Sequence, residues 1–280
     1  MTSLSAPSAS DPQICFIVGA PRSGTTWVQR LLQSHDLICG GEESHFFGNY
    51  SGTRWEAQKQ LNSPRGLGPL TYMDQDAFDD MYRGMWRTIF ARLYAEHPQA
   101  LVHLEKTPSN ALFLDEIHNL FPDARYIFLT RDSRAVTSSL IHAGNTWGDH
   151  WAPTDPRLAA LMWRKHNLAM RTWRAQHPDL PVLELKYEDA VADTEAALAR
   201  MIAFLIPDEN RQRISETLQA YQADQAGKTE QTRKKDPSGF ARVRGATGWQ
   251  KDMTLWQKFV SWRFTRKLMR ELGYDISLLS

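Results

Sequence analysis

The chain has 280 residues, with 33 Lys and Arg against 32 Asp and Glu, a net charge of +1 and two cysteines. That length can bury the core of one large α/β domain, and so even a charge balance excludes a protein built as a whole for nucleic acid or an anionic membrane, leaving local basic clusters to be weighed separately. Cys15 and Cys39 make no disulfide framework, and no stretch reaches the ~18 apolar residues of a membrane span. The start, MTSLSAPSASDP, is small and polar without the apolar run of a signal peptide. Residues 1–12 are therefore expected as a disordered leader, residues 13–280 as a single domain, and the cytoplasm as the compartment.

Ile14 to Val18 reads as a short buried strand, Gly19-Ala-Pro-Arg-Ser-Gly24 breaks it, and Thr25 opens an amphipathic helix to about Leu32. The two glycines let successive N–H groups and the helix N-terminus converge on one concavity, which suits phosphate or a similar tetrahedral oxyanion. A nucleotide P-loop carries a lysine directly after its second glycine to reach the β/γ-phosphates. Here Thr25 and Thr26 stand there, and the cation is Arg22, two residues before Gly24. The loop is thus expected to grip an anion without being built for ATP hydrolysis.

Leu37 to Cys39 reads as a second strand, closed by Gly40-Gly41 and followed by acids, a histidine and aromatics (Glu42 to Tyr50), a composition suited to the carboxyl edge of an α/β sheet, where ligands bind. Residues 51–68 are polar and rich in Gly and Pro and are expected as a loop or lid, whereas Asp74 to Glu96 has helical apolar spacing. Ala100 to Leu104 is a further strand leading into Glu105-Lys106-Thr107-Pro108, with Lys106 a candidate anion contact and Ser109 or Asn110 expected to cap the next helix.

Arg125 to Thr130 is apolar enough for a central parallel strand and runs into Arg131 and a helix through Ile141. Arg131 and Ser139, two helical turns apart, can hold one phosphate between a guanidinium and a hydroxyl. His142 to Pro156 lacks a period and is expected as a loop over the site; its His142, Asp149 and His150 match no usual zinc spacing. A helix over Arg157 to Ala175, a strand over Val182 to Leu185, and helices from Asp193 to Leu205, Glu209 to Ala223 and Thr254 to Leu272 complete the reading. Between them, Gln225 to Thr247 is basic and polar and is expected as a solvated flap able to close over an anion. Phe46, Phe47, Tyr50, Trp55, Tyr72, Trp86, Trp147 and Trp151 suit either an acceptor cleft or a core.

Pro21-Arg-Ser-Gly-Thr-Thr26 after a strand resembles the 5′-phosphosulfate loop of sulfotransferases that use 3′-phosphoadenosine 5′-phosphosulfate (PAPS), and Tyr126 to Ser139 is similar to their 3′-phosphate-binding strand and helix. The resemblance implies a P-loop-like three-layer α/β sandwich with a central parallel sheet, and a sulfuryl transfer from PAPS to a hydroxyl or amine of a small-molecule, glycan or peptide acceptor. It implies cofactor contacts from Arg22, Ser23, Gly24, Thr25, Thr26, Arg131, Ser139, Tyr187, Arg244 and Gly245, with cationic side chains in place of a metal. Arg22 and Lys106 would stabilise the departing charge. The cytosolic aryl and steroid branch has a histidine after Lys-Thr and uses it as base, whereas Pro108 stands here. The branch with tyrosylprotein, carbohydrate and many bacterial enzymes carries an early glutamate, and Glu43-Ser44-His45 aligns it on Glu43, with Glu42 and His45 as alternatives. A P-loop nucleotide kinase or NTPase, and an inactive PAPS-binding scaffold, are the competing readings.

Overall fold

The computed structural model describes residues 11–62, 65–235 and 248–277. Five parallel strands form its centre: β1 (Gln13–Gly19), β2 (Ile38–Gly40), β3 (Val102–Glu105), β4 (Arg125–Thr130) and β5 (Val182–Lys186), in the order β2-β3-β1-β4-β5. Their register is set by pairs such as Cys15 with Leu104, Ile17 with Ile127 and Ile127 with Leu183. A strand buried on both faces sends alternate residues to opposite layers. Cys15 and Ile17 pack with α1 (Thr25–Leu32) and α8 (Thr194–Leu205), whereas Phe16 and Val18 pack with Trp86, Ile117 and Trp173 from α3 (Gln75–Glu96), α4 (Leu114–Leu120) and α6 (Pro156–Gln176). A third cluster joins α5 (Ser133–Gly144), α6 and α11 (Leu255–Glu271), which follows the short α10 (Trp249–Asp252), through Val136, Leu140, Trp163 and Leu268. Both cysteines are buried and free.

Several local expectations meet their physical basis. Asp74, Asp155 and Asp193 accept from backbone N–H groups of α3, α6 and α8, and Thr254 and Gln257 close a reciprocal capping box at α11. Others are corrected. The loop expected over 51–68 is largely helix α2 (Phe46–Leu61), which is anchored by burial of Phe46, Phe47 and Ala57 despite its glycines and polar residues. The flap expected from Gln225 is helical as far as Lys235, because α9 (Arg211–Lys235) continues through Gln, Glu, Lys and Arg residues that favour helix. Neither Ser109 nor Asn110 caps α4: residues Pro108–Leu112 form a 3-10 turn, and Asn110 turns its amide inward. The loop expected from His142 begins after Gly144, and α7 (Tyr187–Ala192) stands where no element was read. Residues 1–10 of the expected leader and 236–247 of the flap lie outside the described residues, while Asp11 accepts from Arg87 Nε at 2.9 Å. Among the described residues no helix is long and apolar enough to cross a membrane.

Candidate active site

All five strands point their carboxyl ends to one side, and the turns there build a cleft of about 1130 Å³. The first turn follows β1. Ser23 N–H donates to Ala20 O, and Arg22 and Gly24 take positive φ values of 71° and 99°, so consecutive amides bend into a nest at the start of α1. At Gly24 a Cβ would stand 2.5 Å from Tyr187 Cε2, so glycine is required by contact as well as by backbone angle. The Ser23 hydroxyl is fully buried and has no hydrogen-bond partner among the described residues. A buried hydroxyl beneath an N–H nest fits an oxyanion that would supply the missing acceptor.

The second turn follows β4 and is cross-linked to the first. Arg131 Nη1 donates to Arg22 O at 3.1 Å, its guanidinium lies 4.2 Å over the Tyr187 ring, and its own carbonyl accepts from Trp163 Nε1 at 2.8 Å. Arg22 Nε donates to Ser139 Oγ at 3.0 Å, with its guanidinium 5.3 Å over Trp147. Beside them Asp132 binds Arg134 at 2.7 Å, and Arg134 also donates to Ser277 O and Asp275 O and lies over Trp249. Asp132 N–H donates to Glu188 Oε1, whose second oxygen accepts from Tyr274; burial, the largest cause, pushes the Glu188 carboxyl upward.

The third corner lies between β2 and β3. Buried Lys106 donates to Glu43 Oε1 at 2.5 Å, and His45 Nε2 stands 3.6 Å from Glu43 Oε2. This corner is held by Glu105, whose buried carboxylate accepts from Ser44 Oγ at 2.7 Å, Thr107 Oγ1 at 2.6 Å and Asn110 Nδ2. Burial dominates and pushes Glu105 upward, while the two hydroxyls and Lys106 oppose the shift. Gln29 Nε2 fixes Gly41 O at 2.6 Å, tying α1 to the same corner.

Arg22, Gly24, Thr25, Thr26, Glu43, Lys106, Arg131, Ser139 and Tyr187 thus line one cleft, with Ser23 buried behind it. Glu42 also lines it, more exposed than Glu43. Arg244 and Gly245 lie outside the described residues. Trp147 and Trp151 line the cleft, Phe46, Phe47 and Trp86 are core, and Tyr72 is exposed; the side chains of Tyr50 and Trp55 fall outside the described ones. Sequence reasoning missed Glu105 and Glu188. For Glu105 the available signal was a carboxylate at the end of an apolar strand with Thr107 and Asn110 following close behind, whereas Glu188 draws its partners from Asp132 and Tyr274, far away in the chain, and had no local signal.

Residues 13–208 match the model of the sulfotransferase family. The chain belongs to that family. This sulfotransferase is similar to protein-tyrosine sulfotransferase 1 of Danio rerio, 26% identical over 70% of the chain and 53% of that relative. Matches to the curated relatives cover from about a quarter to about two-thirds of their length. Among solved structures, the sulfotransferase domain of the curacin biosynthetic pathway aligns with TM-score 0.59 and 21% identity, covering 96% of this chain and 100% of that one. Mouse sulfotransferase SULT7A1 complexed with PAP aligns with TM-score 0.58 and 16% identity over 93% of this chain and 86% of that one. At those identities the two structures speak for the fold, a P-loop-like α/β sandwich around a parallel sheet.

Proposed function

We infer that this sulfotransferase moves a sulfuryl group from PAPS to a hydroxyl or amine of an acceptor, with Glu43 as the general base. The observation that carries this reading is the Glu43–Lys106 pair, 2.5 Å apart in the same cleft as the Arg22 turn. The Ser23–Thr26 nest and Arg22 would hold the phosphosulfate, and Arg131 and Ser139 the ribose 3′-phosphate; Tyr187, already stacked under Arg131, would meet the adenine. A phosphate at Ser139 would take the place of the bond that Arg22 makes there, while Trp147 still backs the guanidinium beside the leaving group. The acceptor oxygen bonds to sulfur as the bond from sulfur to the bridging oxygen breaks. The acceptor proton passes to Glu43, and adenosine 3′,5′-bisphosphate (PAP) departs with its new charge facing Arg22 and Lys106.

The PAP named in the SULT7A1 structure supports the nucleotide, and the relatives' names make a tyrosine-bearing peptide the first acceptor to try beside small alcohols and glycans. Glu43→Ala is expected to cut turnover by about a hundredfold to ten-thousandfold, the usual worth of a general base, while PAP still raises the melting temperature. Turnover within about threefold of the native protein would move the base to Glu42 or His45. Stabilisation by Mg-ATP and not by PAP would instead favour a phosphoryl enzyme.

A further inference from the structure

The outward face of α11 carries three exposed large apolar side chains. The helix spends one stripe on the core through Val260, Ser261, Thr265, Leu268 and Met269, so the opposite stripe should be polar. Instead Leu255, Trp256 and Phe259 are 69%, 67% and 43% exposed. Trp256 stacks on Phe259 at 6.1 Å, Phe259 stacks on Trp262 at 6.1 Å, and the Arg266 guanidinium lies 4.4 Å over Trp262. Helical geometry continues this ladder, at steps of three and four residues, into Arg263, Arg266, Lys267 and Arg270, all exposed. No acid occurs from Met253 through Arg270. Beside it a 350 Å³ groove between α6 and α11 is lined by Arg164, Arg263, Arg266 and Lys267. Its one acid, Glu271, is ion-paired with Arg171.

We propose that this face docks on an anionic lipid surface, the Trp256–Phe259 end entering the boundary between headgroups and acyl chains and the basic end and groove holding lipid phosphates. Exposed Trp, Phe and Leu followed by clustered Arg and Lys is the pattern of a helix lying in a membrane interface. A second copy of the chain fits poorly, because a twofold pairing would set the uniform positive charge against itself. Single-stranded nucleic acid stacks its bases between ring faces, whereas Phe259 already has a ring neighbour on each side. Trp249 and Asp252 line the cleft only a few residues before α11 begins, so the docking helix is joined directly to a wall of the cleft.

The test is flotation of the full chain with vesicles of phosphatidylcholine alone and of equal parts phosphatidylcholine and phosphatidylglycerol, with single-stranded RNA as competitor. Binding is expected only to the mixed vesicles and to weaken as salt is raised. Arg263→Gln with Arg266→Gln should weaken it about fivefold per charge removed. Trp256→Ala with Phe259→Ala should weaken it by about tenfold or more. Trp262 is left in place because its Nε1 donates to Ile276 O. Should the aromatic pair fail to fold, the arginine pair carries the test alone. Absence from both vesicle types, equal flotation of all variants, or displacement by RNA overturns the proposal. Flotation needs no turnover, so its failure leaves the sulfuryl-transfer reading untouched.

Discussion

At the mouth of β1 the surface offered to an anion is backbone: Gly24 and Arg22 bend the chain, the amides converge, and the buried Ser23 hydroxyl has no partner among the described residues. At the mouth of β4 it is side chain: Arg131 is propped on Tyr187 and on Arg22 O, and Asp132 and Arg134 lock each other beneath Trp249. The first mouth takes its shape from six consecutive residues. The second takes its shape from partners scattered from Arg22 to Ser277. A backbone nest is compact and intolerant of any added Cβ, whereas a side-chain cradle tolerates change at its own glycine-free turn and fails when a distant partner is lost.

The largest break in that comparison is Arg134→Ala. It leaves Asp132, whose side chain is 11% exposed, without its ion pair, and is expected to lower unfolding free energy by about 3–5 kcal/mol in a denaturant titration. A loss below about 1 kcal/mol would mean that the second mouth stands without this pair. Next is Gly24→Ala. The strained φ costs about 1–3 kcal/mol and the methyl drives into the Tyr187 ring, so PAP affinity measured by calorimetry should drop at least tenfold. Unchanged affinity would show that Tyr187 can withdraw freely.

The smallest effect sharpens the comparison through pH. Burial raises the Glu188 carboxyl, so the native state keeps this proton to higher pH than the unfolded chain does. Its contribution to stability therefore declines as pH rises from about 4.3, the unfolded value, through the raised native one. Glu188→Gln keeps an oxygen for the Asp132 N–H and should flatten that part of the stability curve. An identical pH slope in both proteins would place the titration elsewhere.

The same contrast explains what could be read from the chain alone. β1, its turn and α1 were legible because strand, glycines and helix start are contiguous; β4 was legible as an uninterrupted apolar run. The brace behind Arg131 was not, since nothing near Arg134 announces Asp275 or Ser277. Helix α2 and the end of α9 were hidden by polar composition, which describes solvent exposure rather than backbone geometry. Glu43 and Lys106 could be named separately, yet their meeting depends on Glu105 gathering Ser44, Thr107 and Asn110 from two strand ends.

The Arg134 bonds to Asp275 and Ser277 join points more than a hundred residues apart. During synthesis the sheet strands leave the ribosome well before that tail. The sheet and the glycine nest are thus complete in sequence by Lys186, whereas the β4 mouth gains its brace only from Asp275 and Ser277.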